Sequence, residues 1–214
     1  MNRVLEPEVM DLPAQALAYA RAAFGDVNAG FVRDLRARFP DLGPRVVDLG
    51  CGPADIPRRL SAAAPGVTVV GVDASSAMLV VARQAIAERP VALVGARLPD
   101  LPFPRATFDA VISNSLLHHL PDPGVFWREA RRVARPGAAL HVMDLYRPES
   151  VARARQIVEA AAGDAEPILK EDFFNSLLAA FTVEEVRAQL EAAGLSRLPC
   201  RVVSERHWLV SGPL

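Results

Sequence analysis

One stretch, VVDLGCGPADIP at residues 46–57, constrains the fold more than any other part of the chain. A short apolar run ends at the acid Asp48, a turn with Gly50 and Gly52 follows, and a helix is predicted from Asp55. Glycine lets the backbone of such a turn approach a ligand closely, and a helix N-terminus offers it free N–H groups. The stretch therefore predicts a buried strand whose carboxyl end forms a nucleotide-like binding edge.

Strands and helices alternate along the chain after this first strand, which is predicted at 45–49. Further strands are predicted at 67–73, 91–95, 108–113, 139–145, 198–203 and 207–211. The near-continuous apolar run at 67–73 is typical of a strand that is buried on both faces of a parallel sheet. A short Ser-Glu-Arg turn joins the last two strands, so they pair antiparallel. The pattern predicts an α/β fold: a doubly wound, Rossmann-like sheet of seven strands, mostly parallel, with helices on both faces.

The length of the chain predicts a single domain, 1–214. The 214 residues are 51% apolar, which is enough for one sizeable core. We divide the domain into an N-terminal arm with helices (1–40), a ligand-binding core (41–146), a helical cap (147–196) and a C-terminal hairpin (197–214). The cap is predicted over the carboxyl edge of the sheet, where open parallel sheets bind their ligands.

Charge and cysteine content limit the partners and the compartment. The net charge is −1, whereas proteins that bind a nucleic-acid backbone are typically basic. Cys51 and Cys200 are too far apart to indicate a disulfide framework or a zinc pattern. We expect no signal peptide, and no run in this sequence reaches the roughly 18 apolar residues of a membrane span. We therefore expect a cytoplasmic monomer or homodimer that binds neither nucleic acid nor membrane.

A second acid, Asp73, ends the second strand and narrows the choice of ligand class. Its carboxylate can accept both hydroxyls of a ribose bound near the glycine turn. A dinucleotide fold would show G-x-G-x-x-G, whereas this chain has Gly50-x-Gly52-x-Ala54 after Asp48. That pattern resembles the D-x-G-x-G-x-G motif of class I S-adenosylmethionine-dependent methyltransferases, and most of all their type 11 and quinone-biosynthesis branch.

Two later segments extend this resemblance. LPFPRATFDAVISNSLLHHLPDP at 101–123 and PGAALHVMD at 136–144 are similar to the family's fourth-strand and fifth-strand segments. The resemblance covers roughly 28–145. It implies S-adenosyl-L-methionine as cofactor, S-adenosyl-L-homocysteine as product, and in-line methyl transfer to a small organic acceptor.

The resemblance also assigns residues to the cofactor, and these are Asp48, Gly50, Gly52, Asp73, Ala74, Met78, Ala96, Arg97 and Asn114. It implies that Asp48 orients the turn and reaches the methionyl ammonium through water, and that Asp73 binds the ribose. Ala74 and Met78 pack against the adenine, the backbone near Ala96 and Arg97 faces its edge, and Asn114 lines the methionine end. Ala54, in place of the third glycine, is expected to be a mild change because alanine is compatible with a helix.

The predicted catalytic residues are His118, His119 and Asp144. An imidazole has a suitable pKa for a general base; the alternative is that the histidines fill the start of a helix and that Asp144 is a capping carboxylate. No metal site is predicted, because adjacent side chains diverge and no acid or further histidine stands at ligand spacing. Predicted acceptor contacts are Tyr19, Tyr146, Arg147, Phe174 and Asn175. For Phe174 and Asn175 the alternative is helical core, and the arm at 6–10 either covers the site or is exposed.

Two alternatives to methyl transfer stay open. One is an accessory or binding protein with a methyltransferase fold, and the other is an enzyme that uses the sulfonium for a non-methylating reaction such as a cyclisation. The intact Asp48, Gly50, Gly52 and Asp73 favour cofactor binding but do not establish turnover. NSLLHH stands where methyltransferases of nucleic-acid bases carry an N/D-P-P-Y/F motif, which argues against such bases as acceptors.

Overall fold

The structure, a computed structural model, describes residues 1–7, 9–21, 25–86 and 89–214. Its helices are α1 (Pro13–Arg21), α2 (Gly25–Arg38), α3 (Asp55–Ala63), α4 (Ser76–Ala85), α5 (Gly124–Val133), α6 (Val151–Ala162), α7 (Pro167–Ala179) and α8 (Val183–Ala192). Its strands are β1 (Arg45–Leu49), β2 (Thr68–Asp73), β3 (Val91–Gly95), β4 (Phe108–Asn114), β5 (Ala134–Leu145), β6 (Cys200–Ser204) and β7 (His207–Pro213). A single 3₁₀ turn, Leu117–His119, follows β4.

The strands form one sheet in the order β3-β2-β1-β4-β5-β7-β6. The first five pair in parallel, and β7 lies antiparallel between β5 and β6. This confirms the predicted seven-stranded, doubly wound fold. The chain order reverses between β1 and β4, so the carboxyl ends of these two strands flank the switch point at which such sheets bind ligands.

Helices cover both faces of the sheet because successive strand residues point to opposite sides. Val46 packs with Phe31 and Leu35 of α2 on one face, whereas Val47 packs with Trp127 of α5 on the other. Trp127 and Leu35 are fully buried. The buried strands fix the carboxyl edge, which carries the residues of the site.

Several boundaries differ from the predicted ones. β7 ends at Pro213, two residues later than the sequence predicts. β5 begins at Ala134 because this residue pairs with Phe108 before an irregularity in register. α7 begins at Pro167, which suits a first helical position because its ring presets the backbone.

The structure divides the predicted cap. α6 and α7 pack on one another in a small cluster that includes Ile157 and Leu177, but Val186 and Leu190 of α8 pack into the main core of the sheet. α1 packs against α4 and α7, so the N-terminal segment shares the carboxyl edge with α6 and α7. In the described part of the chain, every helix is too short or too polar to cross a bilayer.

Candidate active site

The glycine turn lies between β1 and α3 and is held by β2. The N–H groups of Gly50 and Cys51 both donate to the carbonyl of Val72, at 2.8 and 2.9 Å. Gly50 and Gly52 have positive φ angles of 73° and 52°. A β-carbon on Gly50 would meet the side chain of Leu116 at 2.9 Å, whereas one on Gly52 would meet nothing within 4 Å. Packing therefore requires glycine at the first position, and open space at the edge surrounds the second.

Ala54 also has a left-handed backbone, with a φ of 62° just before α3. Its side chain is fully buried. The prediction that this alanine is a mild change was therefore wrong in its reason, because the residue lies outside the helix. A left-handed conformation costs an L-residue about 1–2 kcal/mol, which glycine would avoid.

Two buried oxygens at the switch point have no hydrogen-bond partner among the described residues. They are Oδ1 of Asp48, at the end of β1, and Oδ1 of Asn114, at the end of β4. Burial, and next the charge of Asp73, raises the pKa of Asp48 well above its usual range. Asn28 of α2 faces the same point, since the Asn114 amide donates to its Oδ1 at 3.4 Å. Because an unpaired buried acceptor costs free energy, these oxygens mark a place for a cationic donor.

Asp73 links the glycine turn to α4. Its Oδ2 accepts from the N–H of Gly52 at 2.7 Å, and its Oδ1 accepts from the N–H of Ser75 at 2.8 Å. Burial raises the pKa of Asp73 more than these bonds lower it. Each carboxylate oxygen keeps a further lone pair, so the side chain can still accept hydroxyl groups.

The N-terminal arm reaches the same place. Ser75 caps α4, and Oδ1 of Asp11 accepts from Ser75 Oγ, from Ser76 Oγ and from the N–H of Ala77, at 3.0 to 3.1 Å. These bonds, led by the one from Ala77, lower the pKa of Asp11. An acid at a helix N-terminus is favourable. The sequence did not reveal this contact, because the arm has no periodic pattern.

A buried carboxylate–imidazole pair lies at the end of β5. Asp144 Oδ2 accepts from the N–H groups of Leu117 and His118, at 2.6 and 3.3 Å, and Oδ1 accepts from the N–H of Leu145 at 2.6 Å. Oδ1 also hydrogen-bonds Nδ1 of His118. Burial alone would raise the pKa of Asp144, but the charge and hydrogen bond of His118 outweigh it and lower that pKa. Likewise, burial would lower the pKa of His118, but the charge and hydrogen bond of Asp144 outweigh it and raise that pKa.

Glu6 of the arm reaches both histidines. Its Oε1 lies 3.4 Å from His118 Nε2 and 3.3 Å from His119 Nδ1, and its Oε2 accepts from Ser176 Oγ at 3.1 Å. The two imidazole rings stack, with their centroids 4.3 Å apart and their planes tilted by 33°. The expectation that the adjacent rings diverge was wrong, because both lie against Glu6. Burial, and next the charge of His118, lowers the pKa of His119 to about 3.

Comparison with known proteins identifies the family. A family model described as a methyltransferase domain matches residues 47–142. The trans-aconitate 2-methyltransferase of Azoarcus sp. is 39% identical over 120 residues, which are 56% of this chain and 46% of that protein. The 2-phytyl-1,4-naphtoquinone methyltransferase of Synechococcus elongatus is 34% identical over 170 residues, which are 72% of each chain. The chain belongs to the S-adenosylmethionine-dependent methyltransferase family.

A solved structure bears out the fold of this methyltransferase. The S-adenosylmethionine-dependent methyltransferase of Aquifex aeolicus aligns with a TM-score of 0.67 and 19% identity, over 94% of this chain and 98% of that one. The chain spans only 46% of the length of the trans-aconitate relative. Membership in the family brings S-adenosylmethionine as cofactor, whereas the acceptor does not follow from it.

The residues at the carboxyl edge of the sheet fit S-adenosylmethionine. The unpartnered oxygens of Asp48 and Asn114 suit an ammonium group, and the open space at Gly52 suits a chain that passes close to the backbone. The other predicted cofactor residues lie at the ends of β2 and β3 or on the first turn of α4. Of these, Met78 is buried and Ala74 exposed, the N–H of Ala96 donates to the carbonyl of Asp73 at 3.1 Å, and Arg97 is exposed.

The predicted acceptor residues fall into different surroundings. Burial, and next the charges of Asp144 and Asp73, raises the pKa of Tyr19 to about 12. Tyr146 is half-buried beside Phe181. The guanidinium of Arg147 already binds Glu185 Oε1 at 2.6 Å and the carbonyl of Ala180 at 3.2 Å.

On α7 the predicted acceptor contacts, Phe174 and Asn175, are neighbours of Ser176, which is the residue that contacts the site. Phe174 packs on the α6–α7 cluster, with the Arg155 guanidinium 5.0 Å from its ring centroid. Asn175 is exposed. Ser176 instead contacts Glu6. The sequence analysis named Glu6 only as part of the arm at 6–10, and it missed Asp11, Asn28 and Ser176, because each is a single polar residue whose position depends on tertiary packing.

The two glycines of the turn give a matched pair of substitutions. Gly50→Ala should destabilise the fold most, because the new β-carbon meets Leu116 and the backbone is left-handed. Gly52→Ala should cost only about 1–2 kcal/mol of backbone strain, yet it should weaken S-adenosylhomocysteine binding because its methyl group enters the open space at the edge. Urea unfolding and calorimetry would separate the two effects; a Gly52→Ala protein with unchanged affinity would contradict this placement of the cofactor.

Proposed function

We propose that this methyltransferase transfers a methyl group to a small organic acceptor whose nucleophilic atom starts protonated. When bound, S-adenosylmethionine supplies a methyl group that the sulfonium charge has already activated. The observation that carries the proposal is the buried His118–Asp144 pair at the carboxyl edge that holds the cofactor residues. A protonated acceptor needs a base at this place, and an unprotonated one does not.

His118 is the proposed base, and Asp144 fixes its tautomer. Three backbone N–H groups hold the Asp144 carboxylate, so it cannot turn away from the ring. With Nδ1 bonded to Asp144, Nε2 is the ring atom that exchanges a proton, and Glu6 Oε1 faces it at 3.4 Å. His119 has a lowered pKa and stays neutral, which suits a hydrogen-bonding role toward the acceptor rather than that of a base.

Tyr19 is the proposed acceptor contact between the two halves of the site. Both Asp73 on the cofactor side and Asp144 on the base side act on its phenol. Tyr146 and Phe174 stay proposed as further contacts: Tyr146 is half-buried beside Phe181, and Phe174 is half-buried on α7. Orienting the acceptor and excluding water are the main contributions that such residues make to an in-line displacement.

Calorimetry and a transfer assay test this function together. S-adenosylmethionine and S-adenosylhomocysteine should both bind, and radiolabelled methyl should pass to one member of a panel of small organic acids, phenols and quinols. The named substrates of the relatives, trans-aconitate and a naphthoquinone, belong in that panel. No binding of either cofactor form would refute the proposal. Binding without transfer to any acceptor would favour an accessory role, and cofactor breakdown without transfer a non-methylating reaction.

The proposal also covers the compartment, the oligomeric state and the partners of the enzyme. We propose a cytoplasmic monomer or homodimer whose partner is the small acceptor, with no nucleic acid. The net charge of −1 supports the absence of a nucleic-acid partner. Light scattering on the purified protein would fix its oligomeric state.

A further inference from the structure

The Glu6 side chain is only 9% exposed and lies beside both histidines, although it belongs to the N-terminal arm. Arg3 holds this arm in place: its Nε donates to the carbonyl of Ala179 at 2.6 Å, and its Nη2 donates to the carbonyls of His118 and Leu120 at 2.7 and 3.0 Å. The same guanidinium lies 3.9 Å from the centroid of the Phe181 ring. The arm is therefore fastened to the turn that carries His118, and that attachment places the Glu6 carboxylate at the ring.

We propose that Glu6 is a positioning residue for His118, completing a carboxylate–imidazole–carboxylate unit when the arm lies across the carboxyl edge. This inference rests on the proposed function. Asp144 occupies the Nδ1 side of the ring and Glu6 faces the Nε2 side at 3.4 Å. An anion on each side stabilises the imidazolium that forms when His118 takes a proton, so Glu6 makes the ring a stronger base.

The charges around His118 favour this role. The groups that act on its ring are Asp144 on β5, Glu6 and Arg3 on the arm, His119 on the same turn and His207 on β7. Arg3 opposes the protonated ring, and the two carboxylates outweigh it. Burial raises the pKa of Glu6, whereas the charge of His118 and the Ser176 hydroxyl lower it less. Glu6 therefore holds a proton more readily than an ordinary glutamate does.

A metal ion on the same atoms is the competing possibility. Ligand atoms of Glu6, His118 and His119 lie within 4.8 Å of one another. However, Oε1 of Glu6 already lies 3.4 Å from His118 Nε2 and 3.3 Å from His119 Nδ1, so a proton shared between oxygen and nitrogen is enough to hold the three groups together. A structural zinc site takes four protein ligands in a tetrahedron, and this group offers three. The Arg3 guanidinium beside the turn also opposes a further cation. The contacts of Glu6 and the nearby guanidinium therefore favour proton exchange over metal binding.

Titration of the histidines by NMR tests the inference without any acceptor. The chain has only four histidines, so ¹⁵N-labelled imidazole signals can be resolved and assigned for each. Glu6→Gln removes the charge but keeps an oxygen for the Ser176 hydroxyl, and Glu6→Asp keeps the charge. Glu149→Gln is the matched control, because it makes the same change at an exposed acid. We expect the His118 midpoint to fall by about one pH unit in Glu6→Gln, to recover in Glu6→Asp and to stay at the wild-type value in Glu149→Gln.

Three results would overturn the inference: a wild-type His118 midpoint in Glu6→Gln, the same midpoint shift in Glu149→Gln, or one equivalent of tightly bound zinc that is lost in Glu6→Gln. Calorimetry with S-adenosylhomocysteine on the same samples separates this inference from the proposed function. Cofactor binding with an unmoved midpoint refutes the role of Glu6 alone. A midpoint that falls as expected in a protein that binds no cofactor refutes the proposed function, but the effect of Glu6 on His118 stands.

Discussion

Asp144→Asn should lower the free energy of unfolding by about 3–5 kcal/mol and abolish methyl transfer. The carboxylate receives three backbone N–H groups and the His118 ring, all in the interior. An asparagine offers only one acceptor oxygen, and its amide N–H groups would face some of these donors. The substitution would also leave the His118 ring without its buried counter-charge.

Urea unfolding measures the loss, and Asp122→Asn is the matched control. Asp122 is exposed and pairs with Arg128 at 3.3 Å on the surface. Such a surface pair contributes at most about 1 kcal/mol, so the control should unfold close to the wild type. An Asp144→Asn protein as stable as Asp122→Asn would show that the buried pair does not stabilise the fold.

The pH dependence of the free energy of unfolding gives a second test of Asp144→Asn. The pKa of Asp144 is lowered, so its contribution is present above the ordinary aspartate value and is lost as the pH falls through the folded value. The pKa of His118 is raised, so its contribution is complete below the ordinary histidine value and is lost as the pH rises through the folded value. The stability difference between the wild type and Asp144→Asn should therefore be largest between about pH 4 and pH 6.5.

The sequence signals for the cofactor half of the site are local. Asp48, Gly50 and Gly52 lie on one strand and turn, and Asp73 ends the neighbouring strand, so the parallel sheet alone brings them together. The alternation of apolar strands and helices likewise determines the sheet. The left-handed backbone of Ala54 was missed because alanine gives no sign of the conformation that packing imposes on it.

The acceptor half is different because it is assembled from segments that are far apart in the sequence. The arm shows no hydrophobic period, and side-chain bonds from Arg3, Glu6 and Asp11 decide its path. The stacking of His118 on His119 depends on the 3₁₀ turn and on Glu6, neither of which a pair of adjacent histidines reveals. The same reasoning explains why α8 was assigned to the cap: its helical pattern does not say against which layer it packs.

Asp73→Ala should weaken S-adenosylhomocysteine binding by at least about 100-fold, since two hydroxyl bonds to a charged acceptor contribute about 1.5 kcal/mol or more each. The carboxylate accepts from the N–H of Gly52 in the glycine turn and from the N–H of Ser75 before α4, so it lies at the junction of the two. Asp164→Ala, at an exposed acid between α6 and α7, is the control and should bind as the wild type does.

Asp73 also binds two backbone N–H groups, so lost affinity has to be separated from a disturbed turn. Asp73→Asn keeps the volume and one acceptor oxygen, so it should retain part of both the turn and the affinity. A turn that collapsed would lower the melting temperature and the affinity together, whereas loss of the ribose contacts lowers the affinity of a protein that melts normally. Unchanged affinity in Asp73→Ala would place the ribose elsewhere on the edge, and the positions assigned to the adenine and the methionine would then have to move with it.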